Sequence, residues 1–173
     1  MTGAELGSRR HSYAANLRPI TKLGNMNIIN IQPLVGIDQV HFGAPRLEIQ
    51  RALGPCSATF KKSPVSAHPT DAWLNNGIQV FYTGVEPIVE YIEFSSESGF
   101  EAIVFGHSVF STEASQLVAL IEKHAPFDSA DPELGYSYIF PSLELSLWRP
   151  SIESPEGDFF STIGVGALGY FSR

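Results

Sequence analysis

The glycines near the end of the sequence come closest to a known chemical motif. Gly164-Val165-Gly166-Ala167-Leu168-Gly169 matches GxGxxG, the pattern with which dinucleotide-binding folds accept a pyrophosphate. That chemistry requires a strand before the glycines, a helix after them and an acidic residue about 20 positions further on. Because the sequence extends only to Arg173, we expect no dinucleotide site. We expect the glycines to lie in a bent closing strand instead.

The histidines, the cysteine and the paired acids do not form a motif for catalysis or metal binding. None of the five histidines stands at the short spacing from another ligand that metal sites use. Cys56 has no local group to activate its thiol, so we expect a small buried side chain. Glu90 and Glu93 are an odd number of residues apart on a predicted strand and face opposite sides, which makes them a poor acid/base pair. We therefore expect no catalytic residue, no metal and no cofactor.

Charge is distributed unevenly along the chain. Residues 1–25 carry a net charge of +3 and residues 26–173 a net charge of −10. Between Lys62 and Lys123 there are eight acidic residues and no Lys or Arg. Such a body repels a phosphate backbone, so we expect no nucleic-acid binding. Two interpretations stay open: the acids keep the surface soluble, or they attract a basic protein partner.

Composition and termini suggest a cytoplasmic protein. No apolar run approaches the roughly 18 residues of a membrane span, and the N-terminus lacks the apolar centre of a secretory signal. A single cysteine favours a reducing compartment. The sequence carries no signal for an oligomeric state. Residues 1–25 show no sustained period, so we expect a loose leader, either an extension upstream of a natural start at Met26 or a targeting peptide.

Two stretches that begin with Phe-Gly predict the helices. In residues 105–123, Ser111 is placed to cap a helix whose apolar stripe is Ala114, Leu117, Val118 and Ile121. In residues 42–54 a shorter helix begins near Pro45 and carries a stripe of Ile49, Ala52 and Leu53. A strand-rich segment follows each helix. The chain therefore predicts an α+β fold of two tandem helix-then-antiparallel-sheet repeats, residues 26–98 and 99–173.

Two predicted hairpins decide which side chains face the core. A three-residue loop at Asn75-Asn76-Gly77 puts Ala72, Leu74, Ile78 and Val80 on the core face. A two-residue loop at Pro141-Ser142 puts six large apolar residues on the core face of the second hairpin, which are Tyr136, Tyr138, Phe140, Leu143, Leu145 and Leu147.

The predicted open face carries large aromatic and acidic side chains that suit partner binding. Its members are Trp73, Phe81, Tyr91, Glu93, Glu144 and Trp148. Tyr91 and Glu93 come from the strand predicted to follow the first hairpin. The alternative is that the two sheets close on each other, or that the registers shift by one residue, and that both tryptophans are buried.

The Phe-Gly openings, the helix ending in Leu53-Gly54-Pro55 and the meander after it resemble the helix-plus-sheet repeat of the β-lactamase inhibitor proteins and of small outer-membrane assembly lipoproteins. The resemblance covers roughly residues 38–173. It implies a non-enzymatic protein that binds and inhibits another protein. Residues 137–150 also resemble stretches of uncharacterised bacterial proteins.

Two functional hypotheses follow. The first is a protein-binding or inhibitory module, such as a bacterial immunity protein against a basic toxin. The second is a small-molecule-binding domain or enzyme with a pocket between the two sheets, which the aromatic content of 12% favours.

Overall fold

The computed structural model describes residues 22–23, 26–38 and 40–171. These residues form a mixed α+β protein with two α-helices, α1 (Arg46–Leu53) and α2 (Ala114–Glu122), and two sheets. Neither helix in this described part is long and apolar enough to cross a membrane. Apart from residues 22–23, the predicted leader lies outside the described residues.

The described chain forms thirteen strands, most of them short. In chain order they are β1 (Lys22–Leu23), β2 (Met26–Gln32), β3 (Gly36–Ile37), β4 (Val40–His41), β5 (Ala58–Phe60), β6 (Thr70–Trp73), β7 (Ile78–Thr83), β8 (Ile88–Ser95), β9 (Phe100–Val104), β10 (His107–Ser108), β11 (Ser137–Phe140), β12 (Leu145–Trp148) and β13 (Thr162–Gly166).

The smaller sheet has six strands in the order β10-β9-β2-β3-β4, with β1 also paired to β2. Strands β2 and β9 are parallel, with Ile29 opposite Ala102. The prediction of purely antiparallel sheets is therefore wrong for this sheet. Parallel neighbours need a long crossover connection, and residues 33–99 supply it here.

The larger sheet has seven antiparallel strands in the order β11-β12-β13-β8-β7-β6-β5. Strands β5 to β8 come from the first predicted repeat and β11 to β13 from the second. Each sheet therefore contains strands from both halves of the chain.

One hydrophobic core lies against the inner face of the larger sheet. Alternate residues of β7, which are Ile78, Val80 and Tyr82, point into it, as the alternation predicts. Phe94 on β8 and Phe100 on β9 meet edge to face at 5.6 Å and join the two sheets.

The helices complete the core. The predicted stripe of α2, Ala114, Leu117, Val118 and Ile121, is buried, which confirms that prediction. Ile49 is the buried residue of α1, while Ala52 and Leu53 are partly buried against the core. The cap of α2 differs from the prediction: Glu113 accepts a hydrogen bond from the Ser115 backbone N–H at 3.3 Å, because the Ser111 hydroxyl bonds to Glu101 instead.

The register of the first hairpin differs from the prediction by one residue. Trp73 lies opposite Ile78, so the loop holds four residues, Leu74 to Gly77, rather than three. The first three of these have positive φ angles. A shift of one residue exchanges the two faces of a strand. Trp73 and Asp71 consequently face the core, and Ala72 lies on the other face of the sheet, where it is also buried.

The second hairpin also has a longer connection than predicted. Phe140 lies opposite Leu145, and residues 141–144 form the loop, with Glu144 at φ 48°. This shift is two residues, so Tyr138, Phe140, Leu145 and Leu147 keep the predicted core face.

Candidate binding surface

The outer face of the seven-stranded sheet carries four of the six residues predicted for partner binding. Phe81 and Tyr91 lie opposite each other on β7 and β8, Glu93 follows on β8, and Trp148 lies on β12 opposite Thr162. The other two, Trp73 and Glu144, do not belong to this face.

Trp73 is a core residue, so its predicted exposure is wrong. Only 4% of the residue is accessible, and its indole Nε1 donates to the backbone carbonyl of Gly54, 2.9 Å away. Gly54 ends α1. The tryptophan therefore anchors the end of α1 to the inner face of the sheet.

Glu144 is buried in the loop between β11 and β12, so its predicted place on the open face is also wrong. Its carboxylate accepts hydrogen bonds from the backbone N–H groups of Gly169 and Phe171 at 2.7 and 2.8 Å. A charge buried in this way needs such donors to offset its desolvation. Glu144 thus fixes the last described turn of the chain.

Tyr91 faces outward but is covered by that turn. Its ring stacks on Tyr170 with centroids 4.3 Å apart, and its hydroxyl lies 3.3 Å from the Ser146 hydroxyl. Burial raises the pKa of the Tyr91 hydroxyl well above its usual range.

The GxGxxG pattern makes room for these two tyrosines. A Cβ on Gly164 would lie 1.7 Å from the Tyr91 hydroxyl oxygen, and one on Gly166 would lie 2.6 Å from the Tyr170 Cβ. No helix follows the glycines in the described chain, and β13 lies inside the sheet, not at its edge. Gly164 and Gly166 therefore leave the space that the side chains of Tyr91 and Tyr170 occupy.

Trp148 is the predicted residue that remains most exposed. It is 43% accessible, and its cross-strand neighbours Ser137 and Thr162 are small. Phe81 and Glu93 are half-buried. The Lys62 ammonium lies 4.6 Å from the centre of the Phe81 ring, so this end of the face already holds a cation. Trp148 and its surroundings are therefore the better candidate site.

Three further large apolar residues are exposed at the same end of the β11–β12 hairpin as Trp148. Leu134, Tyr136 and Ile152, together with Trp148, are each 40–46% accessible. The Arg149 backbone N–H donates a hydrogen bond to the Tyr136 carbonyl at 2.9 Å. The Ile152 side chain lies 3.5 Å from the position that a Cβ on Gly135 would take. Tyr136 lies opposite Arg149, one position beyond the Ser137–Trp148 pair, so Tyr136 and Trp148 start from opposite faces of the hairpin. We call these four residues, which share the end of the hairpin, the hairpin-end surface.

Arg149 holds the two loops that carry this surface. Its Nε donates to the Gly135 carbonyl at 2.7 Å and its Nη1 to the Gly157 carbonyl at 2.9 Å. The guanidinium also lies 5.9 Å from the centre of the Phe160 ring. The planar guanidinium presents its donors in a fixed geometry, so one side chain sets the position of both loops.

The charge around the hairpin-end surface is negative. Between residues 126 and 161 Arg149 is the only Lys or Arg. The exposed acids of this segment are Asp128, Glu133, Glu153, Glu156 and Asp158. Exposed apolar residues in a segment whose exposed charges are acidic are complementary to a basic partner.

Comparisons with protein-family models, curated proteins and solved structures find no match.

The groups considered for chemistry take packing positions. In the described part of the chain no three His, Cys, Asp or Glu side chains form a group that could hold a metal ion. The His124 ring stacks on Phe105 at 3.8 Å, and His68 Nε2 donates to the Gly84 carbonyl at 2.7 Å. Cys56 is half-buried, with its sulfur 3.4 Å from the Thr59 hydroxyl.

Asp71 forms the densest polar cluster in the described structure, and sequence reasoning missed it. The carboxylate is fully buried and accepts hydrogen bonds from four side chains, which are Arg46, Gln50, Thr59 and Tyr82. Burial alone would raise the pKa of Asp71, but these donors outweigh it and lower the pKa. No local pattern reveals the pair, because Arg46 and Asp71 are 25 positions apart.

Proposed function

We propose that this chain is a non-enzymatic protein-binding module that holds a basic protein partner on its hairpin-end surface. The observation that carries the proposal is the exposure of Leu134, Tyr136, Trp148 and Ile152 at one end of a hairpin, in a segment whose exposed charged residues are acidic. Aromatic side chains dominate the binding energy of protein interfaces, and opposite charges increase the rate and specificity of association.

Rigidity supports the same proposal. A loop that is already fixed loses less conformational entropy on binding than a mobile one. Arg149 fixes both loops through backbone carbonyls, and its positive charge faces those carbonyls. No other Lys or Arg lies between residues 126 and 161, so the exposed acidic residues of this segment have no basic residue within it to neutralise them.

The proposal extends to inhibition of the partner in the cytoplasm, as expected for a bacterial immunity protein against a basic toxin. The acidic body supports a basic protein rather than a nucleic acid as the partner, since phosphates would be repelled. The alternative of a pocket between the two sheets has less support, because the inner faces meet through packed side chains such as Phe94 and Phe100.

The proposal also treats the two halves as tandem repeats. Strands β2 and β9 are parallel neighbours, and each leads through a Phe-Gly pair toward a helix. Gly43 and Gly106 both have φ of 80°, a conformation that glycine adopts without strain. This shared turn is the support for an internal repeat.

The test is a quantitative capture experiment with matched variants. Wild-type protein, Trp148→Ala and Glu133→Gln/Glu153→Gln are immobilised and exposed to lysate at low and at high salt. Val65→Ala is the control, because Val65 is an exposed apolar residue on a distant loop. We expect a basic protein to be retained by wild type and control and lost from both other variants.

Calorimetry with the purified partner then gives the magnitude. Trp148→Ala should weaken binding by about 2 kcal/mol, roughly thirtyfold. Its urea midpoint should match wild type, since Trp148 is exposed. A partner that binds Trp148→Ala as tightly as wild type, or that is acidic, would refute the proposal.

A further inference from the structure

A cleft lies between the beginning of α1 and the turn that joins β7 to β8. Its volume is about 460 Å³, within the range of small-molecule sites. Pro45, Leu47, Pro87 and Ile88 supply apolar walls. The cleft is separate from the hairpin-end surface and shares no residue with it.

Two polar side chains in this cleft are held in fixed orientations by Asp71. Arg46 donates hydrogen bonds from Nε and Nη2 to the Asp71 carboxylate, and Gln50 donates one from Nε2 at 2.9 Å. Among the described residues, no hydrogen bond involves Arg46 Nη1 or Gln50 Oε1. Arg46 and Gln50 both line the cleft, and each has one polar atom that Asp71 does not use, a donor on Arg46 and an acceptor on Gln50. Such polar groups set specificity in mostly apolar sites.

The charges around the cleft disfavour an anionic ligand. Asp71 neutralises Arg46 from the buried side, while the Glu86 carboxylate lies on the cleft wall and is exposed. A free carboxylate in the cleft would meet Glu86, while Arg46, paired with Asp71, supplies no net positive charge to hold it. A carbonyl oxygen can accept from Arg46, and an N–H can donate to Gln50, without adding charge.

We propose that this cleft binds the amide group of a ligand with an apolar body, the carbonyl accepting from Arg46 Nη1 and the N–H donating to Gln50 Oε1. The apolar body packs against Leu47 and the two prolines. This chemistry is present in a free small amide and in the peptide group of a bound chain.

N-acetyl-L-leucinamide is the probe, observed by ¹H–¹⁵N correlation spectra of the whole chain. For a ligand of this size we expect a Kd of about 1 mM. The perturbed resonances should belong to residues 46–50 and 86, 88. A capped tripeptide that binds about tenfold tighter would indicate a peptide segment as the source of the amide, and equal affinity would indicate a small ligand.

Two variants test the contacts without disturbing the Asp71 cluster. Leu47 is 55% accessible, so Leu47→Ser removes an apolar wall and should weaken the probe about tenfold, while the control Val65→Ser leaves it unchanged. Glu86→Gln should leave the amide probe unchanged and tighten the binding of N-acetyl-L-leucine, the matched carboxylate.

Three results would overturn the inference. One is the absence of perturbed resonances in residues 46–50 and 86, 88, which would show that the cleft is not a site. Another is tighter binding of N-acetyl-L-leucine than of the amide to wild type, which would indicate an anion site. The third is unchanged binding by Leu47→Ser, which would place the probe elsewhere.

Discussion

Replacement of Gly164 by alanine tests the packing of the tyrosines on the outer face. Gly164 lies on β13 with φ outside the left-handed region, so its backbone accepts alanine without strain. The new Cβ would lie 1.7 Å from the Tyr91 hydroxyl oxygen and 2.5 Å from Cζ. Tyr91 has little room to move away, because Tyr170 stacks on its ring at 4.3 Å. The prediction is that Gly164→Ala destabilises the fold through Tyr91.

The magnitude follows from three terms. Overpacking a filled site costs about 1 to 3 kcal/mol. Displacement of Tyr91 also weakens its hydrogen bond to Ser146, about 0.5 to 1.5 kcal/mol. The lower conformational entropy of alanine in the unfolded chain offsets about 0.4 to 1 kcal/mol of this cost. We expect a net loss of about 0.5 to 4 kcal/mol.

A double-mutant cycle assigns this loss to Tyr91. In a Tyr91→Leu background the hydroxyl and Cζ are absent, and only the Ser146 Oγ, 2.9 Å from the new Cβ, has to rotate away. Gly164→Ala should therefore be close to neutral in that background. Urea unfolding of the four proteins gives the free energies. Gly99→Ala is the control: Gly99 has φ of 74° and no neighbour within 4 Å of its Cβ position. Its cost of about 1 to 2 kcal/mol comes from the backbone and should be equal in both backgrounds. Equal costs for Gly164→Ala in the two backgrounds would refute the reasoning.

Two further predictions concern the core and the tyrosines. Leu117 is fully buried in α2, so Leu117→Ala should lower the free energy of unfolding in urea by about 2 to 5 kcal/mol. The control, Ala119→Ser at an exposed position of the same helix, should cost under about 0.5 kcal/mol. Similar costs for the two substitutions would contradict the burial of the stripe. Burial raises the pKa of Tyr82 and of Tyr91 in the folded state, so their contribution to stability is complete below the unfolded pKa of about 10 and is lost as pH rises above it. Ultraviolet titration should show these two tyrosines ionising only as the fold opens, and titration of all six near pH 10 in the native state would contradict this.

Features of the fold that depend on local periodicity could be predicted from the sequence. The stripe of α2 is such a feature, because residues three and four apart on a helix share a face wherever the helix packs. The parallel pairing of β2 with β9 could not be predicted in this way. It joins residues such as Ile29 and Ala102, and no local pattern specifies which distant strand becomes a neighbour.

The fate of the two tryptophans shows how loop length controls a prediction of exposure. A loop one residue longer than expected moved Trp73 to the core, whereas a connection two residues longer left Trp148 on the predicted face. The sequence therefore predicted one member of the hairpin-end surface. Leu134 and Ile152 were missed because loops carry no period. Tyr136 was predicted on the core face and is instead exposed, because the strand begins only at Ser137. The carbonyls that Arg149 binds become neighbours only after folding.

The parallel pairing of β2 with β9 has a consequence for biosynthesis. Ile29 and its partner Ala102 are 73 positions apart, so a ribosome that adds about 5 to 20 residues per second needs about 4 to 15 seconds between them. During that interval one edge of β2 has no partner strand, and its apolar residues are available to other nascent chains. Pairings between distant segments also form slowly, since the loop between them must close first. The emerging chain should therefore depend on chaperones until residues 100–104 have left the ribosome, and an mRNA truncated before them should yield an aggregation-prone product.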